Sequence, residues 1–146
     1  MPIKYFDSIF KAVEKAKTKK EKIEILKQNS SPTLKAILGY TYDPSVKWLL
    51  PEGTPPHKSL TEESDAEITM GYAQKQFYLF VEGPTDTQKN LKQIRREQLF
   101  IQLLESVHPC EVKVLIGMKD RKLPYKGVTR KLVAEAFPNL ARNWFS

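Results

Sequence analysis

The residues best suited to nucleophilic chemistry in this sequence are Cys110 and His108, which flank Pro109. An imidazole beside a thiol can take its proton and leave a thiolate able to attack a carbonyl. The fixed X-Pro-X spacing, however, turns the two side chains apart, so they read as a core thiol and a helix-cap histidine. His57 is the second of two histidines, and with a single cysteine the chain cannot by itself build a four-ligand Cys/His zinc site. Glu62, Glu63, Asp65 and Glu67 are grouped, but neither the glycine turn of a calcium loop nor a histidine accompanies them. They read as the acidic first turn of a helix. The glycines at 39, 53, 71, 83, 117 and 127 are too scattered for a phosphate loop or a GxGxxG turn. No nucleophile, base and oxyanion donor converge, so the chain reads as a non-enzyme without metal or cofactor.

What the sequence does concentrate is positive charge. There are 24 Lys and Arg against 17 Asp and Glu, a formal net charge of +7, and the excess is uneven. Residues 1–28 hold eight bases and four acids, and residues 108–146 hold eight bases and three acids. Between them, residues 61–86 hold six acids and one base, Lys75. Such asymmetry orients a molecule on a polyanion. The densest cluster is Lys119, Arg121, Lys122, Lys126, Arg130 and Lys131, around a predicted helix start at Gly127-Val128-Thr129. Backbone N–H groups at a helix start attract phosphate, Gly127 permits close approach, and the Thr129 hydroxyl adds a donor.

The elements that must position these residues are predominantly helical. Phe6, Ile9, Phe10 and Val13 mark one helical face, with Lys4, Lys11, Lys15 and Lys17 elsewhere on the wheel. Thr18 and Glu21 fit a capping box opening a second helix, with Ile23, Ile25 and Leu26 inward up to Asn29. Ser31-Pro32 starts a third, with Leu34, Ile37 and Leu38 buried. Asp43-Pro44 restarts the chain into a short helical or turn segment over 45–50, anchored by Trp48. Prolines 51, 55 and 56 with Gly53 forbid regular structure over about 51–60. A helix is expected from Thr61 through Ile68, Tyr72, Gln76 and Leu79, although residues 77–81 have the aromatic and β-branched content of a strand. After Glu82-Gly83-Pro84 a long helix is expected over 87–107, with Leu91, Ile94, Leu99, Phe100, Ile101, Leu103 and Leu104 buried and Lys92, Arg95 and Arg96 outside. Pro109 opens another with Val112, Leu115 and Ile116 inward, and a last helix from Val128 carries Leu132, Val133, Ala136 and Phe137 inward until Pro138.

The expected fold is therefore one all-α domain over 1–146, an irregular multi-helix bundle without tandem repeats. No apolar run approaches the length of a membrane span, and Asp7, Lys11 and Glu14 interrupt any secretory core at the N-terminus. A lone cysteine points to a reducing, cytoplasmic setting.

The stretch 111–121, with Gly117 and Arg121, followed by 127–140, from Gly127-Val128-Thr129-Arg130-Lys131 to Phe137-Pro138, resembles the end of the N-terminal all-helical DNA-binding domain of phage-type ATP-dependent DNA ligases. Residues 23–29, 34–42 and Trp48 with its following prolines extend the resemblance over most of the chain at low identity. The resemblance implies a domain that grips the minor-groove backbone on both sides of a nick. It carries phosphate contact to Arg121, Gly127, Thr129, Arg130 and Lys131; this chain has a slightly longer stretch between Asp120 and Gly127. A ligase also needs a lysine that takes up AMP in a Lys-x-Asp-Gly motif, and this sequence has no Asp-Gly dipeptide. The chain also looks like small proteins of large tailed phages, which implies the cytoplasm of a host cell. The expectation is a non-enzymatic, phosphate-directed DNA-binding protein for duplex or nicked DNA. The alternative is a protein-protein interaction or inhibitor protein on the same scaffold. There, a host or phage replication or transcription protein would dock on the acidic waist with Tyr72, Phe77, Tyr78 and Phe80.

Overall fold

The structure is a computed structural model and describes residues 5–61 and 66–145. Eight α-helices are present among them: α1 (Phe6–Lys15), α2 (Lys19–Gln28), α3 (Pro32–Tyr42), α4 (Met70–Gln74), α5 (Asp86–Asn90), α6 (Gln93–Ser106), α7 (Val112–Lys119) and α8 (Arg130–Ala136). Single 3₁₀ turns occupy Phe77–Phe80 and Pro109–Glu111. An isolated antiparallel bridge, Trp48 to Val81, is the β pairing among the described residues. The fold is all-α, as the apolar spacing predicts.

α1 and α2 pack as a hairpin, α2 lies on α8, and α3 is packed between α4 and α7. Phe10, Leu26, Leu34, Ile37, Leu38, Phe77, Phe80, Phe100, Leu104, Leu115 and Met118 fill one core. The helix starts follow side-chain caps. Thr18 Oγ1 accepts from Glu21 N at 3.1 Å, Ser31 Oγ from Leu34 N at 3.0 Å, and Thr129 Oγ1 from Leu132 N at 3.2 Å. The box at Thr18 is half formed, because the Glu21 carboxylate accepts from Lys17 N rather than from Thr18 N. A distant residue caps α1: the buried Glu111 carboxylate accepts from Phe6 N at 3.1 Å and Asp7 N at 2.8 Å.

Several boundaries differ from expectation. Residues 62–65, which hold most of the acidic helix start, lie outside the described residues. The helix expected over 61–79 shrinks to α4 and a 3₁₀ turn. Glu67 N and Ile68 N donate to Ser106 O at the end of α6, and the Thr69 hydroxyl starts a helix only at Met70. The aromatics divide: Phe77 and Phe80 are buried, whereas Tyr72 and Tyr78 are 52% and 38% exposed. The segment 45–50 has no helix: a turn at 44–45 is closed by Asp43, which accepts from Ser45 N at 2.9 Å, and Trp48, paired with Val81, donates its indole N–H to Tyr40 O at 2.9 Å.

The long helix expected over 87–107 is broken at Leu91 and Lys92, whose ψ values of 123° and 143° are extended. Arg96 explains the break. Its guanidinium is buried, donating to Leu79 O at 2.8 Å, Gln88 O at 2.9 Å and Gln93 Oε1 at 2.8 Å. Placing Arg96 inward turns Ile94 outward, where it is 70% exposed. This reverses the expected facing of both residues, because three convergent acceptors outweigh the charge's desolvation. At the other end Pro109 opens a 3₁₀ turn before α7, and the last helix starts at Arg130, two residues after Val128.

Candidate nucleic-acid interface

The topology brings the two basic ends of the chain together. α1 runs into α2 at Thr18, α2 packs along α8, and the loop 120–129 lies against the end of α1, where Lys126 N donates to the Glu14 carboxylate at 2.6 Å. A cleft of about 240 Å³ opens at the junction, lined by Lys19, Lys22, Gly127, Thr129, Lys131 and Leu132. Lys15, Lys17 and Lys20 from the N-terminal stretch, and Lys122, Lys126 and Lys131 from the C-terminal one, are exposed.

Lys22 is the fixed cation of this cleft. Its ammonium donates to Val13 O at 2.8 Å and Ala16 O at 2.9 Å, closing the carbonyl end of α1, where a positive charge is favoured. Gly127 holds φ +88°, and a Cβ there would lie 3.2 Å from Lys22 Nζ. Glycine therefore serves two needs, the left-handed backbone and the approach of the lysine. Lys19 is about half exposed and pairs with Glu135 at 2.6 Å.

The expected phosphate ligands separate into two groups. Lys122, Lys126 and Lys131 are exposed, and Thr129 and Gly127 border the cleft. Lys119, Arg121 and Arg130 are turned to internal work. The Lys119 side chain is buried, with its ammonium on Pro51 O at 2.8 Å and on Asp120. Arg121, with φ +69°, donates to Asp43 O at 2.6 Å and to Val46 O, and Arg130 Nε donates to Tyr42 O at 2.8 Å. The two arginines thus hold the carbonyl end of α3, which binds cations for the reason that α1 binds Lys22. Burial and the neighbouring Arg130 charge press the Arg121 pKa down from its ordinary value. The expected helix-start anion seat also changes. α8 has seven residues, and Thr129 Oγ1 caps it by accepting from Leu132 N, which leaves the hydroxyl proton to donate, so the positive potential at this cleft comes from its lysines.

Lys19 and Lys22 were missed among the site residues. Their signal was the basic count of residues 1–28, which says nothing of which other segment α2 will face.

His108 and Cys110 do meet, against the expected geometry, with Nδ1 3.0 Å from Sγ. The 3₁₀ turn after Pro109 brings them to one side, and Nδ1 also accepts from Cys110 N at 3.2 Å as the cap of that turn. No group of three or more His, Cys, Asp and Glu among the described residues is placed to hold a metal ion. No helix among them is long and apolar enough to cross a membrane.

The family of unknown function DUF6433 matches residues 9–125, most of the chain, and the protein belongs to that family. The match begins within α1 and ends just before Lys126, so it takes in most of α1 and all of α2 to α7 but not the C-terminal side of the cleft. No curated protein and no solved structure matches the chain.

Proposed function

We propose that this member of a family of unknown function is a non-enzymatic DNA-binding protein that holds duplex DNA, nicked or intact, through its phosphates. The observation that carries the reading is the convergence of the two basic ends on one cleft, with Lys19 and Lys22 from one and Lys131, beside Gly127 and Thr129, from the other. Lysine ammonium groups at a groove neutralise phosphates without reading base edges, so affinity should depend strongly on salt and weakly on sequence. Of the positions to which the resemblance to the ligase DNA-binding domain carries phosphate contact, Gly127, Thr129 and Lys131 border this cleft, while Arg121 and Arg130 bind backbone carbonyls. The absence of an Asp-Gly dipeptide removes the self-adenylating motif of those ligases and leaves only the grip.

Fluorescence anisotropy of labelled nicked, intact and single-stranded DNA across a salt series tests the reading. Four to six phosphate contacts give a log–log slope of about −4 to −5 on duplex. Replacing Lys126 and Lys131 by alanine together should weaken binding and flatten the slope by about two, one per lost contact. Unchanged affinity and slope in that double variant would remove this face from DNA binding. A second reading, a protein partner at the acidic waist, draws on the exposure of Tyr72 and Tyr78, since aromatic side chains left at a surface are frequent anchors of interfaces.

A further inference from the structure

A second cleft, of about 280 Å³, lies between the proline-rich loop and α6, and nothing in the DNA reading uses it. Leu50, Pro51, Pro55 and Pro56 form one wall, and Phe100 and Ile101 the other. The loop is anchored at several points, to both ends of α6 and to the end of α7. Gly53 N donates to the Asp120 carboxylate at 3.2 Å, Lys119 Nζ to Pro51 O at 2.8 Å, the Gln93 amide to Leu49 O at 2.6 Å, and Lys58 N to Glu105 Oε2 at 2.8 Å. A segment without regular structure, anchored this way, leaves an apolar space that its own side chains do not fill.

The polar groups of the cleft decide its occupant. Lys119 is buried, but Asp120 neutralises it, so it brings no net charge. Glu97 shares a helical face with Phe100 and Ile101, at the three-and-four spacing, and lines the same space. It is half-buried and has no hydrogen-bond or ion-pair partner among the described residues. Glu52, exposed on the loop, lines the same space, and an apolar chamber with two carboxylates and no uncompensated base is complementary to a cation with an apolar body.

We propose that this cleft is a binding site for a small organic cation, an aromatic or branched hydrocarbon body bearing a primary ammonium group. The ammonium pairs with the Glu97 carboxylate, and the body rests on Phe100, Ile101 and the proline wall. The inference is independent of DNA binding, because it involves none of the residues of the lysine cleft.

The test is an amide NMR titration of the full chain with phenethylammonium and, separately, with 3-phenylpropionate, which has a similar body and the opposite charge. Saturable shifts confined to 50–56 and 97–101 with the cation, and much weaker ones with the anion, are expected. Glu97→Gln should weaken the cation by about tenfold, the loss of one charge-assisted hydrogen bond. Ile101→Phe, which fills the chamber, should abolish binding while Glu97 is intact. The wild-type spectrum outside the cleft reports folding of both variants. Absence of saturable shifts, shifts centred instead on the acidic segment, equal binding of cation and anion, or unchanged affinity in Glu97→Gln would each overturn the proposal.

Discussion

Asp7 shows how a single buried charge becomes a pH dependence. Its side chain is buried, accepts from Tyr125 Oη at 2.6 Å and pairs with Lys11 at 3.1 Å and Lys113 at 3.2 Å. Burial raises its pKa, but the Tyr125 hydrogen bond and the two lysines together outweigh burial and hold it below 3.8. Glu111, also buried, is pushed above 4.5 by desolvation, against the two backbone N–H groups it caps. The two groups act in opposite directions. The contribution of Asp7 is present above pH 3.8 and is lost as pH falls through its lower folded value. Glu111 takes stability away as pH rises from 4.5 through its higher folded value. Urea unfolding across pH should therefore show Asp7→Asn about 1–3 kcal/mol less stable at neutral pH, with the difference shrinking in acid. Glu111→Gln should lose the decline above pH 4.5, and an unaltered profile in both variants would refute the assignment. Neither group was legible in the sequence. Asp7 reads as a surface residue between Phe6 and Ser8, and only the fold brings Glu111 and Tyr125, more than 100 positions away, onto it.

Among elements, local chemistry set the starts of helices better than their lengths. Ser31-Pro32 and Thr18 are visible caps, because the acceptor is a few residues from the N–H it satisfies, whereas Thr129, read as a phosphate donor in a helix begun at Val128, is the cap of α8. The break between α5 and α6 is not visible, because its cause is the nonlocal carbonyl of Leu79 beneath Arg96. Charge patterning placed Arg96 outside, and the same patterning placed Ile94 inside. Arg96→Ala should destabilise the protein by about 3 kcal/mol, leaving the carbonyls of Leu79 and Gln88 unsatisfied at the joint. Arg95→Ala, one position away and exposed, should change stability by less than about 0.5 kcal/mol. Thermal melting of the pair checks this, and equal effects would mean that the guanidinium does not hold the two helices. Thr129→Ala should cost about 1 kcal/mol through its cap alone.

At the scale of the molecule, the sequence displayed two basic ends and an acidic waist but not the face that joins the ends. That face depends on α2 lying along α8, helices whose buried residues are Leu26 on the one and Leu132, Val133 and Ala136 on the other, a pattern that any amphipathic pairing would also satisfy. The same packing sets Glu135 against Lys19 at the edge of the lysine cleft, both side chains partly exposed. An exposed pair of this kind contributes little to folding, roughly 0–1 kcal/mol. Its electrostatic effect on a polyanion is larger in consequence, because Glu135 both neutralises Lys19 and repels a phosphate entering between Lys19 and Lys131. Glu135→Gln should therefore leave the melting temperature nearly unchanged, tighten duplex binding several-fold at low salt and steepen the salt slope by about one. Lys19→Ala should weaken binding, and in the Lys19→Ala, Glu135→Gln double variant the gain should be smaller than in wild type, since no cation remains to be released. Anisotropy titrations of the four proteins decide it. Equal gains with and without Lys19 would mean that Glu135 acts only through overall charge, whereas no gain in either would place the phosphate path away from this cleft.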